Sequence, residues 1–273
     1  MIQTLLPVHY IPHGGGPWHV MKGAFGAEGA GYDRLEAWLK DFGAGLRDRI
    51  TSILAISAHW EEAGPRVHFG QKPGLLYDYG GFPDPTYHLS WPAPGDPALA
   101  GKVEGLLTGA GFKPEREEKR GYDHGTFVPM MVAFPEAGIP VAQLSLVKGL
   151  DPALHFDLGR ALAPLRGEGV LIIGSGMSYH NMRGFMSGDP VAARASRSFD
   201  DWLAETVAIA DPAARREALV QWTKAPGALE SHPRSEHLVP LFMIAGAAGG
   251  DPGRRSYSGE LMGVKVSGHV FGD

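Results

Sequence analysis

The chain has no cysteine among its 273 residues. That absence excludes disulfides, thiolate nucleophiles, iron–sulfur clusters and cysteine-held zinc together. It also lacks any apolar run of about 18 residues, the length a membrane-spanning helix needs. A basic excess is missing too: 25 Lys and Arg stand against 30 Asp and Glu, a net charge of −5. The electrostatic footprint of a nucleic-acid binder is therefore not present. The first residues, Met1 to Pro7, lack the basic flank and long apolar stretch of a signal peptide. These absences lead us to expect a soluble, cytoplasmic protein with neither nucleic acid nor membrane as partner. They leave the oligomeric state open.

The hydrophobic fraction is ordinary for a globular protein, so a core can form. No repeat, low-complexity tract or charged linker divides the chain, and residues 1–273 are read as one catalytic domain. Four short apolar runs bounded by turn residues read as buried strands: 8–11, 53–57, 141–146 and 170–173. Helical periodicity marks 32–46, 97–107, 152–165, 191–208 and 213–222. Leu35, Trp38, Leu39 and Phe42 form an apolar stripe suited to covering a sheet. This alternation predicts an α/β fold, a mostly parallel or mixed central sheet covered by helices. Between Gly70 and Gly95 the periodicity fails. The segment there is turn-rich and aromatic, and a loop so long in a compact domain is commonly functional.

With thiolates excluded, a metal would have to be held by imidazole and carboxylate, and the chain has 12 His. His13, in Ile-Pro-His-Gly-Gly-Gly-Pro, follows the first strand. His59 follows the second, and His180 comes shortly after the fourth. Ligands of open α/β sheets bind beyond the carboxyl ends of the strands, so these three can converge. The three glycines after His13 let the backbone pass close to a ligand or another segment. His124 and His237 lie in polar, loop-like contexts. His9, His19, His68, His88, His155 and His269 read as structural or surface residues, His232 as a helix cap before Pro233, and Glu236 as a solvated helix charge.

Other chemistries leave weaker traces. His13-Gly-Gly-Gly16 looks like an esterase oxyanion segment, and Gly176-Met-Ser-Tyr-His180 nearly completes a nucleophile elbow around Ser178, with Asp251 and His269 in triad order. The elbow lacks its last glycine, and the glycine run sits far from it. A zinc peptidase needs His-Glu-x-x-His or its inverse, and neither occurs. A zinc-binding hydrolase without that motif and a metal-binding protein without turnover stay open as alternatives.

Motifs in order along nearly the whole chain resemble the LigB-type (class III) extradiol ring-cleavage dioxygenases, in the DOPA-extradiol-dioxygenase-like branch. They include His13-Gly-Gly-Gly-Pro17, Ser57-Ala-His-Trp-Glu61, Tyr77-Asp-Tyr-Gly-Gly-Phe-Pro83, Tyr122-Asp-His-Gly-Thr-Phe-Val-Pro129, Gly174-Ser-Gly-Met-Ser-Tyr-His-Asn181 and His232-Pro-Arg-Ser-Glu-His-Leu-Val-Pro-Leu241. The resemblance implies an α/β fold and a mononuclear non-haem Fe(II) site. Such a site opens a catechol with O2 to a muconic-semialdehyde-type product. It implies His13, His59 and His237 as metal ligands, with His237 where better-known members carry a carboxylate. His180 is implied as a further ligand or as acid/base, and His124 as a second catalytic histidine lining the pocket. Tyr77, Asp78, Tyr79 and Ser178 are expected near the substrate. An all-imidazole set also suits Zn(II), and the identity of the catechol stays open.

Overall fold

The computed structural model describes residues 5–21, 23–26, 29–185 and 187–273. Its strands are β1 (Val8–Pro12), β2 (Ser52–Glu62), β3 (Arg66–His68), β4 (Glu115–Glu117), β5 (Val141–Val147), β6 (Val170–Gly176), β7 (Gly253–Leu261) and β8 (Val264–Phe271). They form one mixed sheet in the order β4-β3-β5-β2-β6-β1-β8-β7. The four strands read from the sequence, β5-β2-β6-β1, are its parallel centre. Neighbouring residues of these strands feed opposite faces, as the pleat requires. Ile53, Ala55, Leu171 and Ile173 join one core, and Leu54, Ile56, Val170 and Ile172 the other.

The helices are α1 (Gly29–Leu46), α2 (Pro97–Gly109), α3 (His124–Ala133), α4 (Pro152–Leu162), α5 (Pro190–Val207), α6 (Pro212–Val220), α7 (Ala228–Ser231) and α8 (Val239–Ala247). Leu35 and Leu39 of α1 and Phe127 and Val128 of α3 cover the first face, while α4 and α8 pack together over the second. Helix starts follow a repeated local device. Asp96, Asp151, Asp189 and Asp211 each precede a proline at the first helical position, and each carboxylate accepts a backbone N–H of the first turn. Among the described residues no helix is long and apolar enough to cross a membrane.

Two local expectations need correction. His59 does not follow β2 but lies inside it, because β2 runs on to Glu62. Its pairing with β5 shifts register between Ile56 and Glu61, an irregularity of the kind that re-aims a side chain. His232 caps no helix start: it follows α7 directly, and its Nε2 lies 2.9 Å from the Ser178 carbonyl.

His9 and His269 are indeed structural residues, buried on neighbouring strands. Burial, with nearby arginines, pushes both from 6.5 down to about 3. The unfolded chain therefore takes up these protons as pH falls below 6.5 while the fold refuses them until about 3. Across that window each buried histidine is expected to remove about 1.4 kcal/mol of stability per pH unit. Urea midpoints measured between pH 7 and 5 check this, and His269→Gln should make the slope shallower. A midpoint that does not move with pH would contradict it.

Candidate active site

The carboxyl ends of the central strands carry a cluster of five histidines. His13 follows β1 directly, and its N–H donates to the Gly176 carbonyl at the end of β6 (3.2 Å). His59 projects from the irregular part of β2. His124 opens α3, whose start Asp123 caps. His180 lies just beyond β6, its N–H donating to Ser231 (2.9 Å). His237 comes from the turn before α8, where its carbonyl accepts from the Tyr10 hydroxyl (2.6 Å) and the Met177 N–H (3.1 Å). A Cβ on Gly176 would stand 2.1 Å from that carbonyl, so only glycine lets the turn seat against β6.

His13, His59 and His237 form a nearly equilateral triangle, with ring centroids 4.9, 4.8 and 5.1 Å apart. The Nε2 of His59 lies 3.3 Å from that of His13 and 3.2 Å from that of His237. The other nitrogens fix the tautomers. His13 Nδ1 is 2.7 Å from the Gly14 carbonyl, and His237 Nδ1 is 2.9 Å from Glu236 Oε1. Both acceptors require Nδ1–H, so both Nε2 atoms present lone pairs. Burial, reinforced by the neighbouring imidazoles, pushes all three histidines well below 6.5, so the rings are neutral. Lone pairs gathered this closely repel one another unless a cation lies between them. Metal–nitrogen bonds of about 2.0–2.1 Å would subtend angles of roughly 100° at such spacings, within the range of tetrahedral and octahedral sites. The donor set fits a divalent metal ion.

Two carboxylates flank the triangle. Asp78 Oδ1 accepts from both the backbone N–H (2.9 Å) and Nδ1–H (2.8 Å) of His124, while its Oδ2 lies 3.4 Å from His59 Nδ1. On the other side, Glu236 Oε1 meets His180 Nδ1 at 3.1 Å as well as His237 Nδ1. Burial alone would raise both acids, but hydrogen bonds from His124 and His180 hold them below their ordinary values. Glu236 is thus no solvated helix charge. Sequence reasoning set it aside because adjacent residues seldom face one metal; here its Oε1 lies within hydrogen-bond reach of both the His180 and the His237 rings. Glu236→Gln is expected to cost 10–100-fold in metal affinity or turnover, read by metal titration and kcat. A variant with both unchanged would refute this role.

A cavity of about 390 Å³ opens over the cluster and is lined by all five histidines, Asp78 and Tyr79. Tyr79 contributes its ring, because its hydroxyl donates to Thr86 (2.5 Å). Tyr77 is not among the lining residues; its hydroxyl donates to Leu89 (2.7 Å), closing the aromatic loop on itself. Ser178 is buried away from the cavity and accepts the Ser267 N–H (2.8 Å). The structure does not assemble an esterase triad around it, since Asp251 pairs with Arg166 (2.6 Å) and His269 with Ser267 (3.0 Å). The glycines after His13 admit chain segments. A Cβ would collide with the Trp18 indole at Gly14 and the Phe82 ring at Gly16.

A family model described as the catalytic LigB subunit of aromatic ring-opening dioxygenase matches residues 8–270. The chain belongs to the LigB family. Several similar proteins carry dioxygenase names. The chain is 43% identical to the 4,5-DOPA dioxygenase extradiol of Beta vulgaris over 79% of its length and 78% of the relative's. It is 33% identical to the protein of that name from Escherichia coli (90% and 87% covered) and 36% identical to dioxygenase tasH of Hapsidospora irregularis (98% and 86%). The crystal structure of an uncharacterized Escherichia coli K12 protein superposes with a TM-score of 0.76 at 28% identity, covering 98% of this chain and all of that one. Membership in the family makes the chain a metal-dependent extradiol dioxygenase, an oxidoreductase.

Proposed function

We propose that the chain cleaves a catechol with O2 outside its hydroxyl pair, at a single Fe(II) held by His13, His59 and His237. The product is of muconic-semialdehyde type. The observation that carries this reading is the convergence of the three Nε2 atoms, at 3.2 and 3.3 Å from one apex. Iron, when bound, supplies Lewis acidity to both catechol oxygens and the redox contact between ring and dioxygen.

The remaining histidines handle protons. The rings of His180 and His237 stack with centroids 3.3 Å apart and planes 16° from parallel. A ligand nitrogen binds in its ring plane, and two such planes share no point within about 2.1 Å of both nitrogens. This supports His180 as acid/base and not as a fourth ligand. With Nδ1–H donated to Glu236, its Nε2 is the basic atom. Lining the cavity floor, it would accept a hydroxyl proton from a bound catechol and return a proton during cleavage. His124, oriented by Asp78, stands on the opposite flank, 3.9 Å from His59 by ring centroids. We assign it to polarising the second oxygen. Asp78 thereby acts as an orienting residue and does not grip the substrate's tail.

Imidazole alone also accommodates zinc, which cannot pass electrons to dioxygen. The test is turnover by Fe(II)- and Zn(II)-loaded protein on a catechol panel. Oxygen uptake with a visible-absorbing product from the iron form alone is the expected result. Equal activity of both forms would sink the iron assignment.

A further inference from the structure

The five histidines occupy only the floor of the cavity. Its outer wall is Phe25, Phe82, Met177, Met182, Phe185 and Met262, and no Lys or Arg lines it among the described residues. The wall's polar side chains are already engaged: the Tyr79 hydroxyl by Thr86, the Tyr32 hydroxyl by Met262 Sδ (4.0 Å), and Asp78 by His124 and His59. Met182, 70% exposed, stands at the rim of this apolar wall.

From this we infer that the substrate is a catechol carrying an uncharged, apolar substituent, and not a zwitterionic or carboxylate side chain. The inference rests on the proposed catechol cleavage and names its substrate class. With the hydroxyl pair on the histidine floor, the ring substituent points along the wall. A carboxylate there would lose hydration and meet no opposite charge, and the one carboxylate that could face an ammonium, Asp78, is already engaged by His124 and His59. An alkyl or aryl group would replace water against phenyl rings and thioethers. Methionine adapts its shape to what it contacts, so the wall tolerates substituents of varied outline.

The test compares 4-methyl-, 4-ethyl-, 4-propyl- and 4-butylcatechol with DOPA and 3,4-dihydroxyphenylacetate. It measures kcat/KM with the iron-loaded protein and Kd by calorimetry without oxygen. Each added methylene is expected to raise kcat/KM and tighten Kd about fourfold, with both charged catechols below 4-propylcatechol. Met182→Arg, at an exposed position, should shift the ratio toward 3,4-dihydroxyphenylacetate by about tenfold or more. If DOPA or the acetate equals or exceeds 4-propylcatechol in the unaltered protein, the inference is overturned while catechol cleavage stands. If no catechol is cleaved but Kd still tightens with chain length, the cavity's preference stands and the proposed reaction fails.

Discussion

His59→Ala is expected to leave a folded protein that no longer retains its metal. His59 is the apex of the donor triangle, its Nε2 lying 3.3 Å from that of His13 and 3.2 Å from that of His237. Losing it leaves two imidazoles and removes the ring that Asp78 approaches from behind. Because outer hydrogen-bond partners alone are worth 10–100-fold in metal affinity, loss of a ligand should exceed about 100-fold. Metal content after dialysis against a chelator, read beside circular dichroism, checks both halves. Stoichiometric metal retained by the variant would exclude His59 from the ligand set.

His180→Ala should behave in the opposite way, keeping the metal and losing turnover. Its ring stacks on His237 without sharing a plane with it, so its removal leaves the three converging nitrogens in place. What disappears is a base oriented by Glu236 at the cavity floor. Positioned general acid–base groups contribute roughly 10²–10⁴-fold, and kcat is expected to fall by that much. Metal stoichiometry should stay at one per chain. A variant that loses metal as readily as His59→Ala would make His180 a ligand and remove the acid/base assignment.

The legible part of the fold was the part with simple periodicity. Short β-branched runs became the parallel centre of the sheet, and amphipathic stripes became α1, α2, α4, α5 and α6. Helix α8 went unread because Val239–Ala247 is buried on every side, which erases the apolar–polar contrast that reveals a helix. Helix α3 is likewise buried almost throughout and carries Pro129 inside it. The β7–β8 hairpin was also missed. Its strand β7 is rich in Arg, Ser and Gly, and Met262 and Gly263 form its turn with positive φ. Gly after a residue tolerating that conformation was the available signal.

At the site, sequence order placed the histidines at strand ends, while the motifs of the resemblance supplied the roles. Neither could supply the acids behind them. Asp78 lines the cavity as expected of a residue near the substrate, but only the folded loop turns its carboxylate onto His124. Glu236 was read as solvent-facing, and only the turn before α8 brings it under two imidazoles. Both orienting contacts are hidden for one reason: a carboxylate that orients a ring is defined by three-dimensional distance, and nothing in its sequence neighbours announces it.

The central claim is that this triangle of imidazoles holds the iron at which a catechol ring is opened. The most direct measurement is anaerobic loading of the metal-free protein with one equivalent of Fe(II), then exposure to 4-propylcatechol and ¹⁸O-labelled dioxygen. The account predicts one O2 consumed per ring, a yellow product carrying both labelled atoms, and no reaction in His59→Ala. Consumption of oxygen without incorporation, or full activity in the variant, would contradict it.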